Sequence, residues 1–327
     1  MPNNLQLTIA CRGYDRIGGL RDGSIQAEGI DLRIIPLVVE ETFWRQLHHI
    51  EFDASELSFS SYTISRSRAN LPLLAIPVFP SRYFRHSCIF VNPDRIKKPE
   101  DMKGKRIGVP EYQMTAAVWI RGMLADDYGV RPQDVEWFSG GVMQPGREEK
   151  LPLRLPSHTS VTPMKDRSLN DMLLSGDLDG YIGARVPGAY DDGKLVRLFP
   201  DYEAVEMDYY RRTKIFPIMH VLAIKETVLA KDPWVAMSLF KAFRQAKDRC
   251  LDEMADSSAL QSSLPWMWPS LERARSVMGH DIWPYGIEPS RPTLDKFVDH
   301  MDAQSLTSHR MTVEELFAPS THDEFKI

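Results

Sequence analysis

Pro99-Glu100-Asp101-Met102-Lys103-Gly104-Lys105-Arg106-Ile107-Gly108-Val109-Pro110 reads as one helical turn opened by proline and stopped by glycine, running into a new strand over Arg106–Val109. A fresh strand here, after a run of strand and helix patterns, predicts that a second domain begins. Downstream, Thr115 is placed to cap a helix through Tyr128, with Trp119, Ile120, Met123 and Leu124 on one side and Gly129 then Pro132 as the stop. A short helix over 168–175 closes on Gly176, and 178–183 follows as its strand. Upstream, 5–11 reads as the first strand and ends in Arg12-Gly13-Tyr14-Asp15, a turn at the strand end where open α/β sheets hold ligands. Residues 30–37 form a second strand and 42–50 a helix. A strand running into a turn over 54–62 carries Ser58, Ser60 and Ser61, and 71–78 leads into a long crossing strand over 81–92. A β-rich run over 216–225 containing His220 returns the chain to the first domain. Asp232 and Pro233 then open a helix to Met254 with a buried stripe of Val235, Leu239, Phe243, Ala246 and Cys250. The prolines at 145, 152, 156 and 163 make 140–164 a long irregular segment of the kind that is either functional, a lid for example, or disordered.

The alternation of strands and helices predicts α/β layers. A length of 327 residues suits two domains at ~100–200 residues each. With 43% hydrophobic and 26% charged residues the chain is globular, which excludes disordered, collagenous and coiled-coil classes. Forty Lys and Arg against 45 Asp and Glu leave a net charge of -5 and no whole-chain field for nucleic acid, so a small ligand is the expected partner. Cys11, Cys88 and Cys250 are too few and too widely spaced for a disulfide framework or a CxxC metal site, and fit a reducing compartment. No basic residue precedes the apolar stretch in 1–10 and no run of ~18 apolar residues occurs. A secretory signal and a membrane span are therefore not expected, and a cytoplasmic location is. The Trp- and Pro-rich tail, Pro265-Trp266-Met267-Trp268-Pro269 and Trp283-Pro284-Tyr285-Gly286, offers apolar surface for a partner subunit in a homo-oligomer.

GxGxxG, P-loop, HExxH and GxSxG motifs are missing, so dinucleotide, nucleotide-phosphate, zinc-protease and nucleophile-elbow chemistry has no sequence support. Asp177-Leu178-Asp179-Gly180 is a fragment of a calcium loop without its other ligands and reads as a turn. What stands out is cationic and imidazole groups at strand ends: Arg12, Arg82, Arg85, His86, Arg185 and His220. Guanidinium forks suit carboxylates, so an anionic substrate is expected, against the bland reading of surface arginines and hydrogen-bonded structural histidines. Glu111, Tyr112 and Thr115 put a carboxylate, a phenol and free backbone N–H groups in the turn after Arg106–Val109. Ser58 and Ser60 either line the cleft or simply fit a strand end.

Pro99 to Pro110, and Leu173-Leu174-Ser175-Gly176-Asp177-Leu178-Asp179-Gly180, resemble the type II periplasmic-binding-protein superfamily. Four further stretches, together and in order over nearly the whole chain, resemble the 4,5-dihydroxyphthalate decarboxylases. They are Ser81-Arg82-Tyr83-Phe84-Arg85-His86-Ser87, Val109-Pro110-Glu111-Tyr112-Gln113-Met114-Thr115-Ala116 with Trp119, Arg121 and Gly122, Phe216-Pro217-Ile218-Met219-His220, and Glu314-Glu315-Leu316-Phe317-Ala318-Pro319-Ser320-Thr321. At Gln304-Ser305-Leu306 the chain departs from the Gln-Gly-Leu of that pattern. The resemblance implies an α/β, two-lobed periplasmic-binding-protein type II-like fold with two crossover strands and a central cleft. Lobe one would comprise 1–87 and 221–327 and lobe two 88–220, with Arg82, His86 and His220 at the crossings.

The implied reaction belongs to phthalate degradation: a dihydroxylated aromatic dicarboxylate loses one carboxylate to give 3,4-dihydroxybenzoate and carbon dioxide. Each carboxylate has a ring hydroxyl para to it. Deprotonating that hydroxyl sends charge to the carbon that bears the carboxylate, which then accepts a proton, so no cofactor is chemically required. The assignment gives the carboxylates to Arg12, Arg82 and Arg185, with Tyr112, Thr115 and Ser60 as further substrate contacts. It makes His86 or His220 the proton donor and Glu111 its partner or base. A variant using a divalent metal would draw on His86, Glu111, His158 and His220, which share no short ligand spacing. The rival reading is a non-catalytic protein of the same fold that binds an aromatic acid. A third reading, a relative of the pyrimidine-precursor proteins of thiamin synthesis, lacks a cysteine cluster here.

Overall fold

The computed structural model describes residues 4–323, so the outermost ends of the expected lobe one, 1–3 and 324–327, lie outside the described residues. Along the chain run β1 (Leu5–Ala10), α1 (Gly18–Arg21), β2 (Ile30–Ile35), α2 (Val39–His49), β3 (Ala54–Ser58), α3 (Phe59–Ser67) and β4 (Leu73–Arg82). Next come β5 (Ile89–Val91), β6 (Arg106–Val109), α4 (Thr115–Tyr128), β7 (Glu136–Gly140), β8 (Val161–Met164), α5 (Leu169–Ser175), β9 (Gly180–Ile182), α6 (Gly188–Asp191), β10 (Val196–Arg197) and α7 (Tyr202–Thr213). The remainder is β11 (Ile218–Lys225), α8 (Glu226–Lys231), α9 (Val235–Met254), α10 (Met267–Met278) and α11 (Arg291–Ala303). The described residues divide into two compact units, one of 4–82, 210–295 and 311–323, the other of 83–209 and 296–310.

The first unit holds a sheet in the order β2-β1-β3-β11-β4. β1 pairs in parallel with β2 and β3, while β11 runs antiparallel to β3 and β4. The order of β1, β2 and β3 reverses direction between β1 and β3, which puts the turn after β1 and the end of β3 at a topological switch point. β4 contains Pro77 and Pro80, and it lies at the sheet edge, where a missing N–H costs no ladder bond. α9 covers the sheet with the expected stripe: Val235, Leu239 and Phe243 are fully buried, each contributing about 1.5–3 kcal/mol of transfer free energy. Its start differs from expectation. The Asp232 N–H bonds the Val228 carbonyl and closes α8, and the regular helix α9 starts at Val235 with Trp234 at its cap.

The second unit holds a sheet in the order β10-β5-β9-β6-β7-β8, in which β6 pairs in parallel with β7 and β9 and β7 with β8. From β6 the chain moves outward to β7 and β8, then α5 carries it back to β9 on the other side, so the switch point lies between β6 and β9. α4 has the expected limits, but Met114 caps it and Thr115 is its first helical residue. It was expected to bury one side, yet every residue from Thr115 to Leu124 is buried. The cause is the segment 296–310, which covers its other face. Trp119 packs on Phe297 at 5.4 Å and on His300 at 5.5 Å, and Arg121 Nε donates to Gln304 Oε1 at 2.8 Å. A Cβ on Gly122 would sit 2.4 Å from the His300 ring, so only glycine admits this contact. Ser305, where the family pattern has glycine, stands at φ 55, in the left-handed region that favours glycine.

Several expectations change. The crossing strand over 81–92 is interrupted: β4 stops at Arg82, Arg85 takes φ -125 and ψ 6, and a 3-10 turn over His86–Cys88 precedes β5. The turn after β3 is the helix α3. The irregular segment ends in a real strand, β8, on the edge position that tolerates Pro163. The expected boundaries of 87/88 and 220/221 fall at 82/83 and 209/210, and 296–310 joins the second unit through its packing on α4.

Candidate active site

In the first unit, β3 is buried along its whole length, and that includes Glu56, at 0% exposure. Opposite it, His220 on β11 pairs with Ser58, two residues from Glu56, so the strand alternation places Glu56 and His220 as diagonal neighbours on one face. The register of β11 against β4 shifts on both sides of His220, a bulge that re-aims its side chain. His220 Nδ1 meets Glu56 Oε1 at 2.5 Å, and Phe43 of α2 packs edge-on against the imidazole at 4.9 Å. Tyr14 Oη donates to the same Oε1 at 2.6 Å. The backbone N–H of Arg12 donates to Oε2 at 3.0 Å and the Cys11 thiol lies 3.6 Å from it. Burial by itself would raise the Glu56 carboxyl, but the charge and hydrogen bond of His220, with the donors from Arg12 and Tyr14, outweigh it and hold the group below its ordinary value. A deprotonated carboxylate only accepts, so the imidazole proton facing it sits on Nδ1 and Nε2 is left as the working nitrogen. The only hydrogen bond of the His220 ring among the described residues is the one at Nδ1.

Tyr14 is itself held. The guanidinium of Arg16 lies 4.1 Å from the Tyr14 ring centre and 4.1 Å from that of Trp283, and Arg16 Nε donates to the Pro80 carbonyl at 2.8 Å. Burial, and then the Glu56 charge, push the Tyr14 phenol well up, so it stays a donor. The Arg12 side chain is exposed, while its backbone N–H is held by Glu56. Ser60, on α3, is buried, with its hydroxyl 3.3 Å from that of Ser58.

Arg82 was expected to hold a carboxylate, but its guanidinium is turned into the protein. Nη1 donates to the Phe216 carbonyl at 2.8 Å, and Nη2 to the Pro284 carbonyl and Ser290 Oγ, both at 2.7 Å. Burial lowers it to about 9. It acts as a strut between β4, the residues leading into β11 and the segment before α11.

The second unit gathers the rest. Glu111, 2% exposed, accepts on Oε1 from Arg147 Nε at 2.8 Å, from Arg147 Nη2 at 2.5 Å and from Lys150. Both cations come from the irregular segment, which Glu149 ties down by accepting from the N–H groups of Tyr112 and Gln113. Burial and the neighbouring Glu111 charge raise Glu149 to about 7. Tyr112 is buried, its ring between Arg121 at 3.7 Å and Trp137 at 5.9 Å, which makes it core rather than surface. Thr115 is buried at the start of α4, and Arg185 is exposed in the turn after β9. His86 is enclosed, edge-on to Phe199 at 5.4 Å and Tyr209 at 5.3 Å, with Nδ1 3.9 Å from Glu206. Burial raises Glu206 to about 7. His86, Glu111, His158 and His220 do not form a metal-ligand group, and among the described residues no three His, Cys, Asp or Glu side chains do.

Sequence reasoning passed over Glu56, Tyr14, Arg147 and Lys150. One signal for Glu56 was available: a lone carboxylate inside a five-residue strand, two residues ahead of a serine cluster.

No protein-family model matches the chain. A curated relative from Comamonas testosteroni, named 4,5-dihydroxyphthalate decarboxylase, is 41% identical over 329 residues, covering 99% of this chain and 100% of its own. The chain belongs to the 4,5-dihydroxyphthalate decarboxylase family. A second member of that family, from Pseudomonas putida, is 43% identical over 213 residues, 64% of this chain and 83% of its own. The family's fold is seen in solved structures at low identity. The alkanesulfonate-binding protein SsuA of Xanthomonas axonopodis pv. citri superposes with a TM-score of 0.52 at 14% identity over 98% of this chain and 99% of its own. The aliphatic sulphonate-binding protein SsuA of Escherichia coli superposes at 0.53 and 12%, over 97% and 99%. This is the periplasmic-binding-protein-like fold that the motifs implied. No helix among the described residues is long and apolar enough to cross a membrane.

Proposed function

We propose that this chain is a carboxy-lyase that removes one carboxylate from 4,5-dihydroxyphthalate, giving 3,4-dihydroxybenzoate and carbon dioxide, with His220 as the proton donor to the ring carbon. The single observation that carries the assignment is the buried Glu56 carboxylate at 2.5 Å from His220 Nδ1, which leaves Nε2 to hold and deliver a proton. Once the para hydroxyl is deprotonated, its electron pair reaches the carbon that bears the carboxylate, and that carbon takes the proton from Nε2. The C–C bond then breaks, its pair returns to the ring, and carbon dioxide leaves. On balance one C–C bond becomes one C–H bond and one solvent proton is consumed. The exposed guanidinium of Arg12 would hold a carboxylate in this unit.

His220 is preferred to His86 because the His86 ring is packed between Phe199 and Tyr209. The decarboxylase reading is preferred to a binding protein without catalysis because both curated relatives carry a decarboxylase name. A cytoplasmic location fits the three buried free thiols, Cys11, Cys88 and Cys250. Exposed Leu260, Leu264 and Trp266 fit the expected subunit partner. The test is carbon dioxide release from 4,5-dihydroxyphthalate by the purified protein. Replacing the acid should lower turnover by ~10²–10⁴-fold in His220→Gln, and a variant that keeps wild-type turnover overturns the assignment.

A further inference from the structure

The Glu111 cluster in the second unit is unbalanced in a specific way. Oε1 carries three donor contacts from two cations, while Oε2, equally buried, has no hydrogen-bond partner among the described residues. A second orphan lies at the same strand ends. Tyr181 Oη is buried without a partner, and a Cβ on Gly183 would fall 2.2 Å from it and 3.1 Å from Pro110, so this hydroxyl sits beside the start of the Glu111 turn. Both orphans therefore belong to the switch point between β6 and β9. Burial pushes the Tyr181 phenol up, while the charges of Arg147, Arg185 and Arg85 bear on it from the other direction.

The site thus lacks a hydrogen-bond donor for Glu111 Oε2 and has positive charge to spare around it. A substrate carboxylate would supply the charge but no donor, and would face the Glu111 oxygen with another acceptor. A ring hydroxyl supplies a donor at first and an anion once ionised. We infer that Glu111, Arg147, Lys150 and Tyr181 form the site for the vicinal hydroxyls of the catechol ring. In it Glu111 Oε2 takes the hydroxyl proton, Arg147 and Lys150 stabilise the phenolate, and Tyr181 Oη bonds the neighbouring hydroxyl. The O–H bond breaks toward Oε2, the electron pair stays on the ring oxygen, and the proton returns when aromaticity is restored. This rests on the decarboxylase reading for its substrate, but binding tests it without turnover.

Titrate the protein at pH 7 with 3,4-dihydroxybenzoate and record the ultraviolet difference spectrum, which moves to longer wavelength when a catechol ionises. Wild type should show the displaced band. Lys150→Met and Tyr181→Phe, which remove single groups, should weaken binding by about 10- to 100-fold, the loss expected for one charge-assisted bond, and Lys150→Met should abolish the band. Glu111→Gln should abolish the band as well. Phthalate, which has the carboxylates without the hydroxyls, should compete with wild type and Lys150→Met within threefold of the same inhibition constant. The inference is overturned by an undisplaced band in wild type, by a band retained in Lys150→Met, or by phthalate inhibition lost in that variant, which would assign the cations to a carboxylate. Carbon dioxide release by wild type is scored separately, so a protein that binds the catecholate without turnover refutes the decarboxylase reading and leaves this site standing.

Discussion

Replacing Glu56 by glutamine should separate the orienting role of this carboxylate from the proton transfer it supports. Glu56 is fully buried and accepts from His220 Nδ1, Tyr14 Oη, the Arg12 N–H and the Cys11 thiol. An amide is acceptor at one end and donor at the other. If its oxygen serves His220 and Tyr14, its NH₂ faces the Arg12 N–H, and if it is reversed, two donors meet at the histidine. One arrangement or the other leaves a buried donor unmatched, which costs about 1–3 kcal/mol of stability. The larger effect falls on turnover. A hydrogen bond to a charged group is worth about 1.5–3 kcal/mol, and if it is made fully only as the imidazole exchanges its proton, Glu56→Gln lowers kcat by about 10- to 150-fold with a smaller change in KM. The assays are carbon dioxide release under saturating substrate, a thermal melt to measure the stability loss, and a proton NMR spectrum. The spectrum should show a far-downfield Nδ1–H resonance in wild type that disappears in Glu56→Gln, and Glu56→Asp should recover part of the rate. A variant that loses the resonance, stays folded and turns over within threefold of wild type refutes the positioning role.

Glu149, raised to about 7 from its ordinary 4.5, binds a proton in the folded state that it has lost in the unfolded chain over that interval. The sign is therefore negative: stability falls as pH rises from about 4.5 to 7, by up to about 3 kcal/mol for this group. Glu149→Gln should flatten that part of the melting-temperature profile, and an unchanged profile would count against the burial of this carboxyl. Ser305→Gly relieves a left-handed backbone at φ 55 and should raise stability by about 1 kcal/mol, read as a higher urea midpoint. A lower midpoint would mean that the Ser305 side chain contributes more than the strain costs.

The fold was legible because its signals are local. The proline-to-glycine turn at Pro99–Met102 and the strand that follows read directly, and so do the stripe on α9 and the glycine stops at Gly129 and Gly176, the latter two with φ 63 and 77. Helix starts were less legible: Asp232 was expected to cap the long helix, but it closes α8 and Trp234 stands at the cap of α9. His220 and Glu111 stood out as polar groups at strand ends. Their partners did not: Glu56 is 164 residues from His220 in the chain, and Arg147 and Lys150 lie 36 and 39 residues beyond Glu111, in a segment without periodicity.

Arg82 and His86 mark the same limit. Both are cationic or imidazole groups near a strand end, and the pattern in the chain is identical whether such a group faces a ligand or the interior. By itself the sequence determined the alternating α/β layers, the family and the short set of residues able to do acid-base chemistry, because periodicity, caps and motifs are written in neighbouring residues; the start of the second unit, at Tyr83, came from the tertiary contacts and not from the strand at Arg106–Val109. Only the tertiary structure decided which of those groups work together. A carboxylate orients an imidazole, and a guanidinium becomes a strut, through contacts made after strands distant in sequence have paired.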